Sequence, residues 1–190
     1  MDLPPTPSQT VGPYFHLGLT GPRSVARLAG AATKGERVAL TFRVFDGNGE
    51  PLNDSMIELW QANAAGKYRH PDDPRPEAID SDFWGFGRAG TEEAGSCQFE
   101  TIKPGRVPGP GGVLQAPHIN VTVFARGLLK HLFTRVYFAG DPANLEDPIL
   151  ALVPEERRPT LLLQPDPARA GHWLFEIHLQ GEQETVFFDV

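Results

Sequence analysis

The segment Arg37-Val38-Ala39-Leu40-Thr41-Phe42-Arg43-Val44-Phe45, followed directly by Asp46-Gly47-Asn48-Gly49, decides the fold class. Val38, Leu40, Phe42 and Val44 recur at every second position, the period of a strand with one face against a core. The Asp-Gly-Asn-Gly run then supplies residues that tolerate turn backbone and closes the strand. The same grammar recurs downstream. Residues 56–60, 97–102, 118–124, 134–138, 172–179 and 185–188 read as further strands, with stops at Asn63-Ala64-Ala65-Gly66 and Lys103-Pro104-Gly105. Short strands separated by turn chemistry predict an all-β fold, a β-sandwich of mainly antiparallel strands with long loops and little helix. Gly and Pro number 20 and 19 in a chain of 190, well above their joint average of about 12%, so long helices are excluded. Short helical turns are expected at 142–147 and 154–158, where Asp-Pro and Pro-Glu-Glu start them.

Charge and cysteine content narrow the class. Asp and Glu number 24 against 17 Lys and Arg, giving a net charge of −7. Nucleic-acid binding needs a basic face, so no nucleic-acid partner is expected. No stretch approaches 18 apolar residues, so no membrane partner is expected either. Cys97 is the single cysteine, which excludes an internal disulfide framework and a CxxC metal knuckle. Met1-Asp2-Leu3-Pro4-Pro5 lacks the basic and apolar regions of a signal peptide, so the expected setting is the cytoplasm.

Two regions are expected: an arm at 1–36 and a β-sandwich domain at 37–190. Prolines 4, 5, 7, 13 and 22 predict extended backbone through the arm. Ser8-Gln9-Thr10-Val11-Gly12-Pro13-Tyr14-Phe15 mixes apolar and hydrogen-bonding groups, a composition that docks on something, either its own domain or a partner. The other long irregular stretches, 66–96 and 103–117, are of the length that compact domains reserve for function or interfaces.

Familiar catalytic motifs are missing. The chain has no Gly-x-Ser-x-Gly elbow, and Gly109-Pro110-Gly111-Gly112 lacks the lysine and hydroxyl of a phosphate loop. His118-Ile119-Asn120 on a strand puts residues 118 and 120 on one face, but the second is an amide, a poor ligand beside imidazole and phenolate. Tyr68 could supply the phenolate. Two readings of His118 stand, a hydrogen-bonded interior histidine and a remnant ligand. His70 belongs to an exposed loop, and His16, His131, His172 and His178 stand singly.

Several blocks, in order, resemble intradiol ring-cleaving dioxygenases. They are Leu59-Trp60-Gln61-Ala62-Asn63-Ala64-Ala65-Gly66-Lys67-Tyr68, Thr101-Ile102-Lys103-Pro104-Gly105, Ala116-Pro117-His118-Ile119-Asn120 and Thr134-Arg135-Val136-Tyr137-Phe138-Ala139-Gly140-Asp141. The ends, Thr6-Pro7-Ser8-Gln9-Thr10-Val11-Gly12-Pro13-Tyr14 and Gly181-Glu182-Gln183-Glu184-Thr185-Val186-Phe187-Phe188-Asp189, resemble the iron-free chain of hetero-oligomeric members. The resemblance implies a non-haem ferric site of two tyrosines and two histidines. Tyr68 and His118 match one of each, whereas Val107 and Asn120 stand at the other two positions and Gln115 near that of the family's arginine. It therefore implies no metal and no catalytic residue in this chain alone, with Fe(III) bound by a homologous partner beta chain. It also implies substrate-binding roles for Thr10, Gly12, Pro13, Tyr14 and Arg126, which would line the partner's pocket. The implied reaction is cleavage of 3,4-dihydroxybenzoate, a small aromatic acid, with O2 to 3-carboxy-cis,cis-muconate. Arg126 either meets the substrate carboxylate or pairs with an interface carboxylate. The rival readings are a scaffold or binding subunit and a homomeric dioxygenase with unusual ligands.

Overall fold

The computed structural model describes residues 9–189. Its strands are β1 (Arg37–Phe45), β2 (Met56–Gln61), β3 (Phe86–Gly90), β4 (Ser96–Ile102), β5 (Val107–Pro108), β6 (Leu114–Gln115), β7 (His118–Phe124), β8 (Leu132–Phe138), β9 (Leu162–Pro165) and β10 (His172–His178). Eight of them form one sheet in the order β3-β2-β7-β8-β9-β10-β1-β4. The short β9 joins the two halves: it runs parallel to β8 at Leu162 and Leu163 and antiparallel to β10 at Gln164 and Pro165. Most other pairs are antiparallel, with β1 and β10 parallel. The expected all-β architecture is present.

The alternation read along β1 is the core. Val38, Leu40, Phe42 and Val44 are buried, and they pack in one cluster with Ile57 and Leu59 of β2, Ile119, Val121 and Val123 of β7, and Val136 and Phe138 of β8. The two halves of the sheet therefore face each other. Phe42 meets Phe99 and Phe175 edge-on, both at 5.8 Å between ring centres, a geometry worth about 1 kcal/mol per pair beyond burial. Gln61 is fully buried; its amide donates to the Ile102 carbonyl at 2.9 Å and accepts from the Thr101 hydroxyl at 2.9 Å. That pair of bonds ties the two halves together at one end with no polar atom stranded.

The arm departs from the extended path expected of it. Residues Pro13–Leu19 form the helix α1, because proline at the first helical position lacks only an N–H that would have no partner anyway. A 3-10 turn follows at Gly21–Arg23. Residues 25–30 then run between the two edge strands. Val25 exchanges hydrogen bonds with Arg88 of β3 (2.7 and 3.0 Å), while Leu28 donates to Glu100 of β4 at 2.9 Å and Glu100 to Ala26 at 2.8 Å. Each open edge is thereby paired at one residue, Arg88 of β3 and Glu100 of β4, which shortens the unpaired rows that would otherwise template aggregation. Leu28 is completely buried in the gap.

Four strands escaped the sequence reading: β3, β9 and the two-residue pair β5 and β6, which lies in the stretch read as irregular. β3 contains Gly87 and Gly90, poor strand formers, yet a Cβ on Gly87 would lie 2.7 Å from the Leu28 side chain and 3.0 Å from Phe99. The glycine is required by the arm. β9 is too short to show a period. The strand expected at 185–188 is reduced to one bridge, Phe133 to Phe188. Side-chain hydroxyls hold this segment in place of a ladder: Thr134 donates to the Val186 carbonyl at 2.7 Å, and Thr185 accepts from the His178 amide at 3.0 Å. The helical turns expected near 142 and 154 form as 3-10 segments at Pro142–Glu146 and Glu155–Leu161.

Leu28→Ala should lower unfolding free energy by about 3 kcal/mol, as filled core sites do. Leu17→Ala, on a side chain 74% exposed, should change it by less than about 0.5 kcal/mol. Urea unfolding of the two variants checks whether the arm is part of the cooperative core.

Candidate functional site

While Ile119, Val121 and Val123 fill the core, the opposite face of β7 carries His118, Asn120, Thr122 and Phe124. Register sets their neighbours. Trp60, Glu58 and Met56 of β2 stand opposite Asn120, Thr122 and Phe124; Tyr137, Arg135 and Phe133 of β8 stand opposite His118, Asn120 and Thr122. This outer face has chemistry at both ends and the Glu58–Arg88 ion pair between them.

At the first end, Tyr68 and His118 are brought together. Nδ1 of His118 donates to the Ala116 carbonyl at 2.8 Å, which leaves Nε2 to accept from the Tyr68 hydroxyl at 3.3 Å. The Asn120 amide donates to the same hydroxyl oxygen at 3.4 Å, and the Tyr68 ring stacks on Trp60 at 5.9 Å. The loop is fixed from below. Asp73 accepts from the Tyr68 amide at 3.2 Å and pairs with buried Lys67 at 3.3 Å and with Arg75 at 2.7 Å. Gly66, at φ +73°, lets the loop approach the carbonyl of Arg106, which a Cβ would strike. Burial pushes the Tyr68 hydroxyl above its ordinary pKa, against the pull of the Arg135 charge.

Asp147 organises the wall behind His118. Its carboxylate is buried and accepts from the Ala116 amide at 2.7 Å, the Tyr137 hydroxyl at 3.2 Å, and the amides of Ile149 and Leu150 at 2.9 and 2.7 Å. Gln115, at the place where the family's arginine was expected, accepts from Arg135 at 2.6 Å. Val107 is buried on β5, opposite Gln115.

This set does not fit a ferric ion. Its phenol and imidazole are engaged with each other, its third member is an amide, and its fourth is a hydrocarbon. Among the described residues, no group of three His, Cys, Asp or Glu could hold a metal. The guanidinium of Arg135, on the neighbouring strand in register with Asn120, adds positive charge where a cation would have to sit.

The other end gathers different residues. Thr10 accepts from the Gly127 amide through its hydroxyl at 2.7 Å, tying the arm to the turn after β7. Phe15 of α1 packs on Phe124 at 5.3 Å. A cleft of about 880 Å³ lies here, with Thr10, Gly12, Phe15, Phe124, Leu129 and Phe188 among its lining residues. Arg126 is 77% exposed, with its Nε 3.0 Å from Asp54. Of the expected substrate-binding residues, Thr10, Gly12 and Arg126 therefore meet at one end. Pro13 and Tyr14 begin α1, but their side chains lie outside the described part of the molecule. Six residue steps separate His118 from Phe124, roughly 20 Å at about 3.3 Å per residue.

A family model described as "Dioxygenase" matches residues 10–181. The protocatechuate 3,4-dioxygenase alpha chain of Burkholderia cepacia is 44% identical, over 99% of this chain and 98% of that one. The chain belongs to the intradiol ring-cleavage dioxygenase family. The beta chain of the same Burkholderia enzyme is 38% identical over 80% of this chain and 67% of its own length. Among solved structures, the dioxygenase domain of a carbohydrate-binding fusion from Streptomyces sp. SirexAA-E superposes with a TM-score of 0.63 at 30% identity, covering 93% of this chain and 99% of that one.

Sequence reasoning found Tyr68, His118 and the arm but missed Asp54, Arg135 and Asp147. Arg135 lay inside a quoted block, and its outward parity could be read from β8. The register that sets it beside Asn120 could not.

Burial, and after it the Arg135 charge, holds His118 down at about 4 against an ordinary 6.5, with the Ala116 carbonyl and Asp147 opposing. Because this base is depressed in the fold, the unfolded chain takes the proton first. The stability from a neutral His118 is full above about pH 6.5 and is lost as pH falls towards 4. Between pH 7 and 4.5 the native chain should lose about 2 kcal/mol more unfolding free energy than His118→Gln. Equal losses by urea titration would show that His118 is not held neutral.

Proposed function

We propose that this chain is the alpha-type subunit of a hetero-oligomeric protocatechuate 3,4-dioxygenase. In this reading the complete enzyme cleaves 3,4-dihydroxybenzoate with O2 between the hydroxyl-bearing carbons to give 3-carboxy-cis,cis-muconate. A homologous beta chain holds the ferric ion. Bound there, the metal supplies Lewis-acid chemistry at the substrate's two hydroxyl oxygens. This chain contributes pocket wall and a carboxylate anchor, and works in the cytoplasm. No helix among the described residues is long and apolar enough to cross a membrane.

One observation carries the proposal. The residues matching the pocket-lining positions gather at the Phe124 end of β7, while Tyr68 and His118 occupy the His118 end. Residues so far apart on one face cannot close one pocket, so Thr10, Gly12 and Arg126 serve a site on another chain. Arg126 is suited to it: its guanidinium is free of burial and can bind a benzoate carboxylate through two charge-assisted hydrogen bonds. Pro13 and Tyr14 belong to the same proposed wall. The arm then divides its work. Residues 25–30 seal the sheet of their own domain, and the segment from Thr10 into α1 faces the partner.

With the beta chain co-expressed, Arg126→Ala should raise KM for 3,4-dihydroxybenzoate by about tenfold to a hundredfold, the loss of one charge-assisted hydrogen-bonding group. Unchanged KM and kcat would overturn the pocket role and leave the scaffold reading.

A further inference from the structure

The turn before β2 holds a carboxylate whose role the family resemblance does not touch. Asp54 reaches across to the turn after β7 and places Oδ2 3.0 Å from Nε of Arg126. The two turns meet because β2 and β7 are antiparallel neighbours with Met56 opposite Phe124. From Asp54 the connections run to the arm. Its backbone carbonyl accepts from Nε2 of His16 at 2.7 Å, and His16 lies in α1, whose last turn is closed by the Thr20 hydroxyl donating to the His16 carbonyl at 3.0 Å. On the other side, the Gly127 amide donates to Thr10 at 2.7 Å. Arg126 is thus framed by three segments that are tied to one another: the Asp54 turn, α1 and the Thr10 loop.

We infer that Asp54 is a positioning residue that presents the Arg126 guanidinium to the substrate carboxylate; the inference deepens the proposed function and rests on it. An arginine 77% exposed samples many rotamers, and every one but the productive one must be given up when a ligand binds. A carboxylate 3.0 Å from Nε narrows that freedom beforehand. With the Asp54 carboxylate beside Nε, the two Nη groups remain to take a substrate carboxylate as an end-on fork in two parallel hydrogen bonds. Asp54 itself is only 27% exposed, and its main chain is held by His16. The aiming group is therefore better fixed than the group it aims.

The test uses the complex with the beta chain and two substrates, 3,4-dihydroxybenzoate and catechol, which has the same ring hydroxyls but no carboxylate. Asp54→Ala should raise KM for the acid by about tenfold, the weight of one rotamer-rich side chain left free, with kcat nearly unchanged. Asp54→Asn keeps an acceptor oxygen and the side-chain shape, so it should recover most of the affinity. With catechol neither variant should differ from the native chain. If Arg126→Ala raises KM for the acid while Asp54→Ala does not, the positioning role is wrong and the pocket role stands. If Arg126→Ala is itself silent, the pocket role has failed first. A fall in KM in Asp54→Ala, or an equal rise with catechol, would also overturn the inference, the first by showing competition for Arg126 and the second by showing general damage to the arm.

Discussion

Between His118 and Phe124 the β7 strand alternates strictly, sending Ile119, Val121 and Val123 into the core and the residues between them to the outer face. That alternation cannot be relaxed. A slip of one residue would bury Asn120 and Thr122 and expose three core aliphatics. The length of the strand then fixes the separation of the two outer-face clusters. Tyr68 and His118 close on each other at one end, the arm and Arg126 gather at the other, and the chain cannot bring them together.

The arm depends on the same sheet. Hydrogen bonds from residues 25–30 to Arg88 of β3 and Glu100 of β4 cover part of each sheet edge, and Leu28 fills the gap that Gly87 leaves. Anchored there, the arm leads its earlier residues, through the 3-10 turn and α1, to a defined place beside Phe124. In the proposed assembly this segment is a pocket wall offered to another chain, where rigidity spares the cost of ordering it at binding.

Strand-period residues made the fold legible. β1 and β7 were readable to the residue because hydrophobic positions alternate without interruption, and two of the 3-10 segments, Pro142–Glu146 and Glu155–Leu161, were readable from Asp-Pro and Pro-Glu-Glu. β3 was not, because Gly87 answers to Leu28 and Gly90 to Thr20, both in the distant arm, and not to a local preference. The helix in the arm was hidden by reading Pro13 as a breaker when it is a first-turn residue. At the site, strand parity and ligand chemistry singled out Tyr68, His118 and Asn120, and the resemblance added Val107 and Gln115. Asp54 and Arg135 were invisible because each matters only through a cross-strand neighbour, and register is not written in any one segment.

Iron content measures the central claim most directly. In the purified complex of this chain with its beta partner, metal analysis should find one ferric ion per pair of chains, and this chain expressed alone should contain none above background. Two ions per pair, or a stoichiometric ferric ion with visible colour in the chain alone, would contradict the account, because Tyr68, His118, Asn120 and Val107 would then have to hold a metal that their chemistry does not fit.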